Sequence, residues 1–165
     1  MCMQNLRRAL LGLSVATLVV VGTAVGGPFE DGVAAYQRGD YAIALQSYRK
    51  AADQGDARAQ NNLGAMYENG QGVPKDFVEA VKWYHKAAEQ GAASAEYALG
   101  ACYADGIGVA QDLVEAYKWV ALAASHGQKN AATFNDTLAK KLTADQKAKA
   151  QQLVQSALAS SPPAN

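Results

Sequence analysis

The feature that most constrains this chain is a stretch that occurs twice. Leu63-Gly64-Ala65-Met66-Tyr67-Glu68-Asn69-Gly70-Gln71-Gly72-Val73 returns as Leu99-Gly100-Ala101-Cys102-Tyr103-Ala104-Asp105-Gly106-Ile107-Gly108-Val109, 36 residues later. The register continues, with Asp76, Glu79, Trp83 and Gly91 repeated as Asp112, Glu115, Trp119 and Gly127. A fixed period of about 20 to 50 residues marks an array of units that bury their apolar faces against one another. The expected product is a scaffold rather than a single enclosed core.

Each unit reads as two helices. Ala59, Leu63, Gly64 and Tyr67 share one face of a 3.6-residue helix, as do Ala95, Leu99, Gly100 and Tyr103. Glycine costs about 1 kcal/mol against alanine inside a helix, so Gly64 and Gly100 predict close approach by another helix backbone. Gly70, Gly72, Gly106 and Gly108 supply the left-handed positions of a loop, with Val73 and Val109 tucked inward. Asp76-x-x-Glu79 and Asp112-x-x-Glu115 predict capping boxes that start the second helices. Trp83 and Trp119 follow on the buried face, and Gly91 and Gly127 end the units. An earlier unit begins near Phe29. Its second helix keeps the period, but Tyr36 to Asp40 is shorter than Tyr67 to Asp76, which implies a five-residue loop missing from this unit.

The domain layout is therefore an N-terminal segment 1–24, a first repeat 29–56, full repeats 57–92 and 93–128, terminal capping helices 129–159 and a disordered tail 160–165. Arg7 and Arg8 precede an apolar run, Ala9 to Val21, and small residues follow at Gly22 and Ala24. That order predicts a secretory signal peptide cleaved after Ala24, with an uncleaved anchor as the alternative. The protein is then exported, periplasmic or secreted, and meets the inner membrane only through this segment if it is retained. Thr143 with Gln146 predicts a box capping a last helix, with Ala148, Leu153, Val154 and Leu158 inward.

These residues resemble the Sel-one-like repeat family, relatives of the tetratricopeptide repeats. The resemblance rests on Ala57-x-Ala-x-x-x-Leu-Gly-x-x-Tyr-x-x-Gly-x-Gly-Val-x-x-Asp-x-x-x-Ala-x-x-Trp, continued to Gly91, and on its near-copy to Gln128. It implies an all-α fold, an open right-handed α/α superhelix (solenoid) of antiparallel helix pairs, about eight helices in all. It also implies an adaptor for other proteins, often at the bacterial envelope. Leu63, Gly64, Tyr67, Leu99, Gly100, Tyr103 and the repeated Asp, Trp and Gly positions are fold residues, and the family supplies no shared catalytic set. In such arrays the first helix of each pair lines the concave face. Arg58, Asn61, Glu68, Asn69, Tyr97 and Asp105 are then the candidate partner-binding residues, with Tyr97 as an exposed anchor.

Composition narrows the partner. With Arg7 and Arg8 set aside, 13 basic residues face 15 acidic ones, which offers no footprint for nucleic acid. The expected partner is a protein or peptide, the expected state a monomer, and no cofactor, metal or catalytic residue is assigned. His85 and His126 are 41 positions apart, without cysteine or carboxylate at ligand spacing, and read as surface residues. Cys102 stands where Ala65 does and reads as a buried thiol. Two alternatives stay open. Ser47-Tyr-Arg-Lys50 fits the S-x-x-K pattern of serine acyl enzymes, which suggests an envelope hydrolase of the penicillin-binding or β-lactamase kind. A self-assembling structural element is the other.

Overall fold

A computed structural model describes residues 26–160. The expected leader, residues 1–24, and residues 161–165 of the expected tail lie outside these. Among the described residues are eight helices and no strand: α1 (Pro28–Gln37), α2 (Tyr41–Asp53), α3 (Ala57–Asn69), α4 (Phe77–Ala88), α5 (Ala93–Asp105), α6 (Leu113–Ser125), α7 (Ala131–Ala139) and α8 (Ala144–Ser160). Helices α1/α2, α3/α4 and α5/α6 form three hairpins. Contacts of α2 with α3, α4 with α5 and α6 with α7 join them into a linear stack. This is the all-α helical-repeat solenoid expected of the sequence. No helix among the described residues is long and apolar enough to cross a membrane.

The apolar stripe of each helix makes one continuous core along the stack. Leu63, Met66 and Leu99 are completely buried, each worth about 1.5–3 kcal/mol relative to exposure. Val73 and Val109 pack against that core from the loops, as expected. A second cluster, around Ala116, Val120, Ala131 and Leu138, seats α7 on the third hairpin.

Asp76 caps α4 by accepting from the Glu79 N–H at 3.0 Å, and Asp112 caps α6 by accepting from Val114 and Glu115. The reciprocal half of the expected boxes is absent. The Asp76 and Asp112 N–H groups donate to the Tyr67 and Tyr103 carbonyls across the loop, at 2.9 and 3.0 Å. Glu79 and Glu115, released from that duty, pair with Lys82 and Lys118. The Thr143–Gln146 box at α8 is complete, with Thr143 N–H donating to Gln146 Oε1 and Gln146 N–H to Thr143 Oγ1.

The same loop hydrogen bond corrects the alignment of the first repeat. Asp40 N–H donates to the Ala35 carbonyl, so Ala35, not Tyr36, matches Tyr67, and the missing loop is four residues rather than five. Tyr36 is exposed for that reason. The inward face of α8 also differs from expectation. Ala150 is buried and Val154 and Ala157 meet the core, whereas Ala148 and Leu158 are exposed. Helix α8 packs against α6, and that orientation turns its other stripe outward. Ser160, expected in the tail, ends α8.

Gly64 and Gly100 do sit at close approaches, but not chiefly to backbone. A Cβ on Gly64 would lie 2.5 Å from the Tyr84 ring. On Gly100 it would lie 2.5 Å from Val120 Cγ2, with the Ala116 carbonyl oxygen at 3.2 Å. In an open helix Gly→Ala gains about 1 kcal/mol. Gly64→Ala should instead destabilise this protein by about 1–3 kcal/mol, because the ring must leave its rotamer. Chemical denaturation of the variant measures this, and a gain in stability would show that the site is not overpacked.

Candidate protein-interaction face

The first helices of the three hairpins, α1, α3 and α5, share one side of the stack. Asp56 begins α3 by accepting from the Arg58 and Ala59 N–H groups at 2.8 and 3.2 Å. Its carboxylate also takes the Arg58 guanidinium at 2.7 Å. That ion pair, followed by the backbone donors, holds the Asp56 carboxyl below its usual range. Arg58 in turn lies over the Phe29 ring, 3.9 Å from its centre, and so fastens α1 to α3. Beyond it a groove of about 470 Å³ opens across the three helices. Its polar wall consists of Arg58, Asn61, Asn62, Gln90 and Ser94, and its apolar end is Phe29.

The six candidates divide on this geometry. Arg58 and Asn61 line the groove together. Glu68 is half-buried and accepts from the Tyr84 hydroxyl at 2.5 Å, an internal brace between α3 and α4. Burial, and then that carboxylate, push the Tyr84 phenol far above its usual range. Asn69 folds back to donate from Nδ2 to the Ala65 carbonyl at 2.9 Å, and Asp105 is exposed at the end of α5. Tyr97 is not an exposed anchor. It is half-buried and packs on Phe134 of α7, ring centres 5.6 Å apart, which joins the third hairpin to the C-terminal helices.

A smaller cleft of about 180 Å³ lies beside the groove, between Tyr36, Tyr48, Asn62 and Ala65. Burial raises the Tyr48 pKa, against the opposing hydrogen bond with Asn62. Ser47 and Lys50 lie three residues apart on α2, and no hydrogen bond joins them among the described residues. No group of three or more His, Cys, Asp or Glu side chains that would hold a metal occurs among the described residues.

His126 is exposed, as expected of it, but it also reaches a buried partner. Its Nδ1 lies 2.9 and 3.1 Å from the carboxyl oxygens of Glu96, a side chain almost wholly buried. Spacing within one helix could not reveal a pair 30 residues apart. The repeat register could have, because Glu96 and His126 occupy the places of Gln60 and Gln90, which also touch. His85 faces outward to Glu89 and sets its ring on Trp119 at 5.4 Å.

Comparison with known proteins agrees with this geometry. The Sel1 repeat family model matches residues 29–56, 57–91 and 93–128. The chain belongs to the Sel1 repeat family. Among solved structures, it resembles c5321, a protective antigen of uropathogenic Escherichia coli with an SLR fold, at 34% identity and a TM-score of 0.75 over 80% of this chain. It also resembles a Sel1 repeat protein from Oxalobacter formigenes, at 43% identity and a TM-score of 0.61 over 66% of this chain. The alignments cover 29% and 47% of those two chains. Among curated proteins, 38 residues are 47% identical to DAP3-binding cell death enhancer 1 of Rattus norvegicus and of Mus musculus, 8% of each. The chain thus matches only a small part of these curated relatives and under half of either solved structure. Sel1 repeats generally serve as scaffolds for protein–protein interaction, and the family match extends to the first, loop-less hairpin.

Within this Sel1 array Cys102 is 8% exposed, and burial pushes its thiol up to about 11, ahead of the nearby Glu68 and Asp105 charges. A thiolate is the reactive form. Cys102 in the folded protein should therefore resist a disulfide-exchange reagent near pH 8, reacting at least about a hundredfold more slowly than in denaturant. Equal rates would mean an open, activated thiol.

Proposed function

We propose that this Sel1 repeat protein is a non-catalytic adaptor of the bacterial envelope that receives an extended protein segment across α1, α3 and α5. The observation that carries the reading is the groove of about 470 Å³. Asn61, Asn62 and Gln90 offer amides that both donate and accept, which is the complement of a peptide backbone. Ser94 adds a hydroxyl and Phe29 an apolar seat. Arg58 is held by Asp56 and Glu30, so the groove carries little unpaired charge, in keeping with a partner chosen by shape and hydrogen bonding. In the tetratricopeptide-like frame this is the inner face of the superhelix. Glu68 and Tyr97 act as braces behind it, and specificity falls to Asn61, Asn62 and Ser94 instead. The mature protein is exported, with cleavage after Ala24, and acts as a monomer. Ser47 and Lys50 take no part.

Photo-cross-linking in the native compartment tests this. A cross-linking residue at position 61 or 94 should capture a protein partner, whereas one at Lys82, on the exposed side of α4, should not. Asn61→Ala with Ser94→Ala should weaken capture about tenfold, the equivalent of one or two lost hydrogen bonds, without lowering the melting temperature. Adducts from position 82 alone would overturn the choice of face. The mass of the captured bait reads out export at the same time, and a bait that still carries Met1 to Ala24 contradicts cleavage.

A further inference from the structure

Positions 36 residues apart do the same work in successive repeats, so a pair that keeps its place and changes its chemistry is informative. At the joint between the first and second repeats, Gln60 is 5% exposed. Its Nε2 donates to the Ala52 carbonyl at 3.2 Å, and its Oε1 accepts from Gln90 Nε2 at 2.7 Å. One neutral side chain thus gives one hydrogen bond and takes another, tying α2, α3 and the end of α4 together.

At the joint between the second and third repeats, the same places hold Glu96 and His126. Glu96 is 1% exposed, and both its oxygens face His126 Nδ1. The counterpart of Ala52 is Ala88, which lines the same cavity of about 220 Å³ as Glu96 and His126. An ionised carboxylate has acceptors only and cannot give the hydrogen bond that Gln60 gives. A carboxyl group that has taken a proton can. Its O–H and C=O then reproduce the donor and acceptor of an amide.

We propose that Glu96 and His126 form a proton-operated clasp at the second joint, closed when Glu96 is protonated and copies Gln60, and loosened when Glu96 ionises.

The surroundings fit. The charged groups that face the cavity are Glu89, just past α4, Lys118 of α6 and His126, just past α6, while α8 brings Ala157 and Ser160. Glu89 is engaged by His85, and Lys118 by Glu115 at 2.5 Å. Burial raises the Glu96 pKa, ahead of the opposing hydrogen bond and charge of His126. A carboxyl whose folded value is raised holds more proton in the folded chain than in the unfolded one. Its contribution to stability is therefore full below the ordinary glutamate value and falls as pH rises to the raised value. The clasp tightens in acid, opposite to the usual salt-bridged carboxylate.

The joint adjoins the groove. Gly91 lines both the cavity at the clasp and the groove, and Gln90 and Ala92 complete that wall. The proton on Glu96 therefore sets how firmly one wall of the groove is held. The clasp itself needs no partner to be tested.

The test uses the full chain. Glu96→Gln with His126→Gln grafts the pair from the first joint onto the second. Melting temperatures of wild type and double variant are compared from about pH 4 to about pH 8. The wild type should lose about 2–4 °C relative to the variant as pH rises, on the scale of roughly 1 kcal/mol for a chain of this size. Parallel curves would overturn the clasp. A carboxyl NMR titration of wild-type protein, labelled at glutamate, gives a second reading that needs no variant. Glu96 should titrate above the ordinary range of about 4.3, and a value at or below that range would equally overturn it.

Discussion

Two glycines leave no room for a side chain between a loop and the helix before it, and the rest of the stack depends on that contact. A Cβ on Gly72 would lie 2.6 Å from the Tyr41 carbonyl oxygen, and one on Gly108 would lie 2.2 Å from that of Phe77. Both glycines hold left-handed backbone, at φ +71°, which other residues adopt only with strain. Each loop therefore rests backbone to backbone on the second helix of the preceding hairpin. That contact fixes where the next hairpin stands. The turn between α1 and α2 lacks the loop, and among the described residues no hairpin precedes α1 to receive one.

Because neighbours touch only neighbours, the joints and the open face are where one repeat can differ from another. The first joint is neutral, through Gln60 and Gln90. The second is titratable, through Glu96 and His126. Tyr84 keeps a ring over Gly64, whereas Val120 fills the same place over Gly100. The framework tolerates these exchanges, since each occupant satisfies the same space with a different chemistry. Function in such a chain is expected to lie in the unrepeated side chains, and Asn61, Asn62 and Ser94 are those that meet in the groove.

The fold was legible in the sequence because its signals are local and repeated. Leu63 and Leu99, the loop glycines and the capping aspartates each report the same element twice. The errors arose where the cause is not local. Tyr36 was aligned with Tyr67 by residue type, although the Ala35 carbonyl carries the loop hydrogen bond. The inward stripe of α8 depends on how that helix meets α6, which its own periodicity does not contain. Tyr97 reads as an open aromatic until Phe134, 37 residues on, is placed beside it. Of the six candidate residues, Arg58 and Asn61 are the two that line the groove. The partnership of Glu96 with His126 was present in the 36-residue register, but only as a comparison between pairs.

The dependence of the stack on its loop glycines can be measured by comparing two alanine variants. Gly39 and Gly108 both hold positive φ, at +82° and +71°, but a Cβ on Gly39 meets nothing within 4 Å. The backbone strain is common to both, about 1–2 kcal/mol, and the helix contact belongs to Gly108 alone. By this account, urea denaturation should find Gly108→Ala less stable than Gly39→Ala by about a further 1–3 kcal/mol. Equal losses would mean that the loop does not set the position of one repeat on the next.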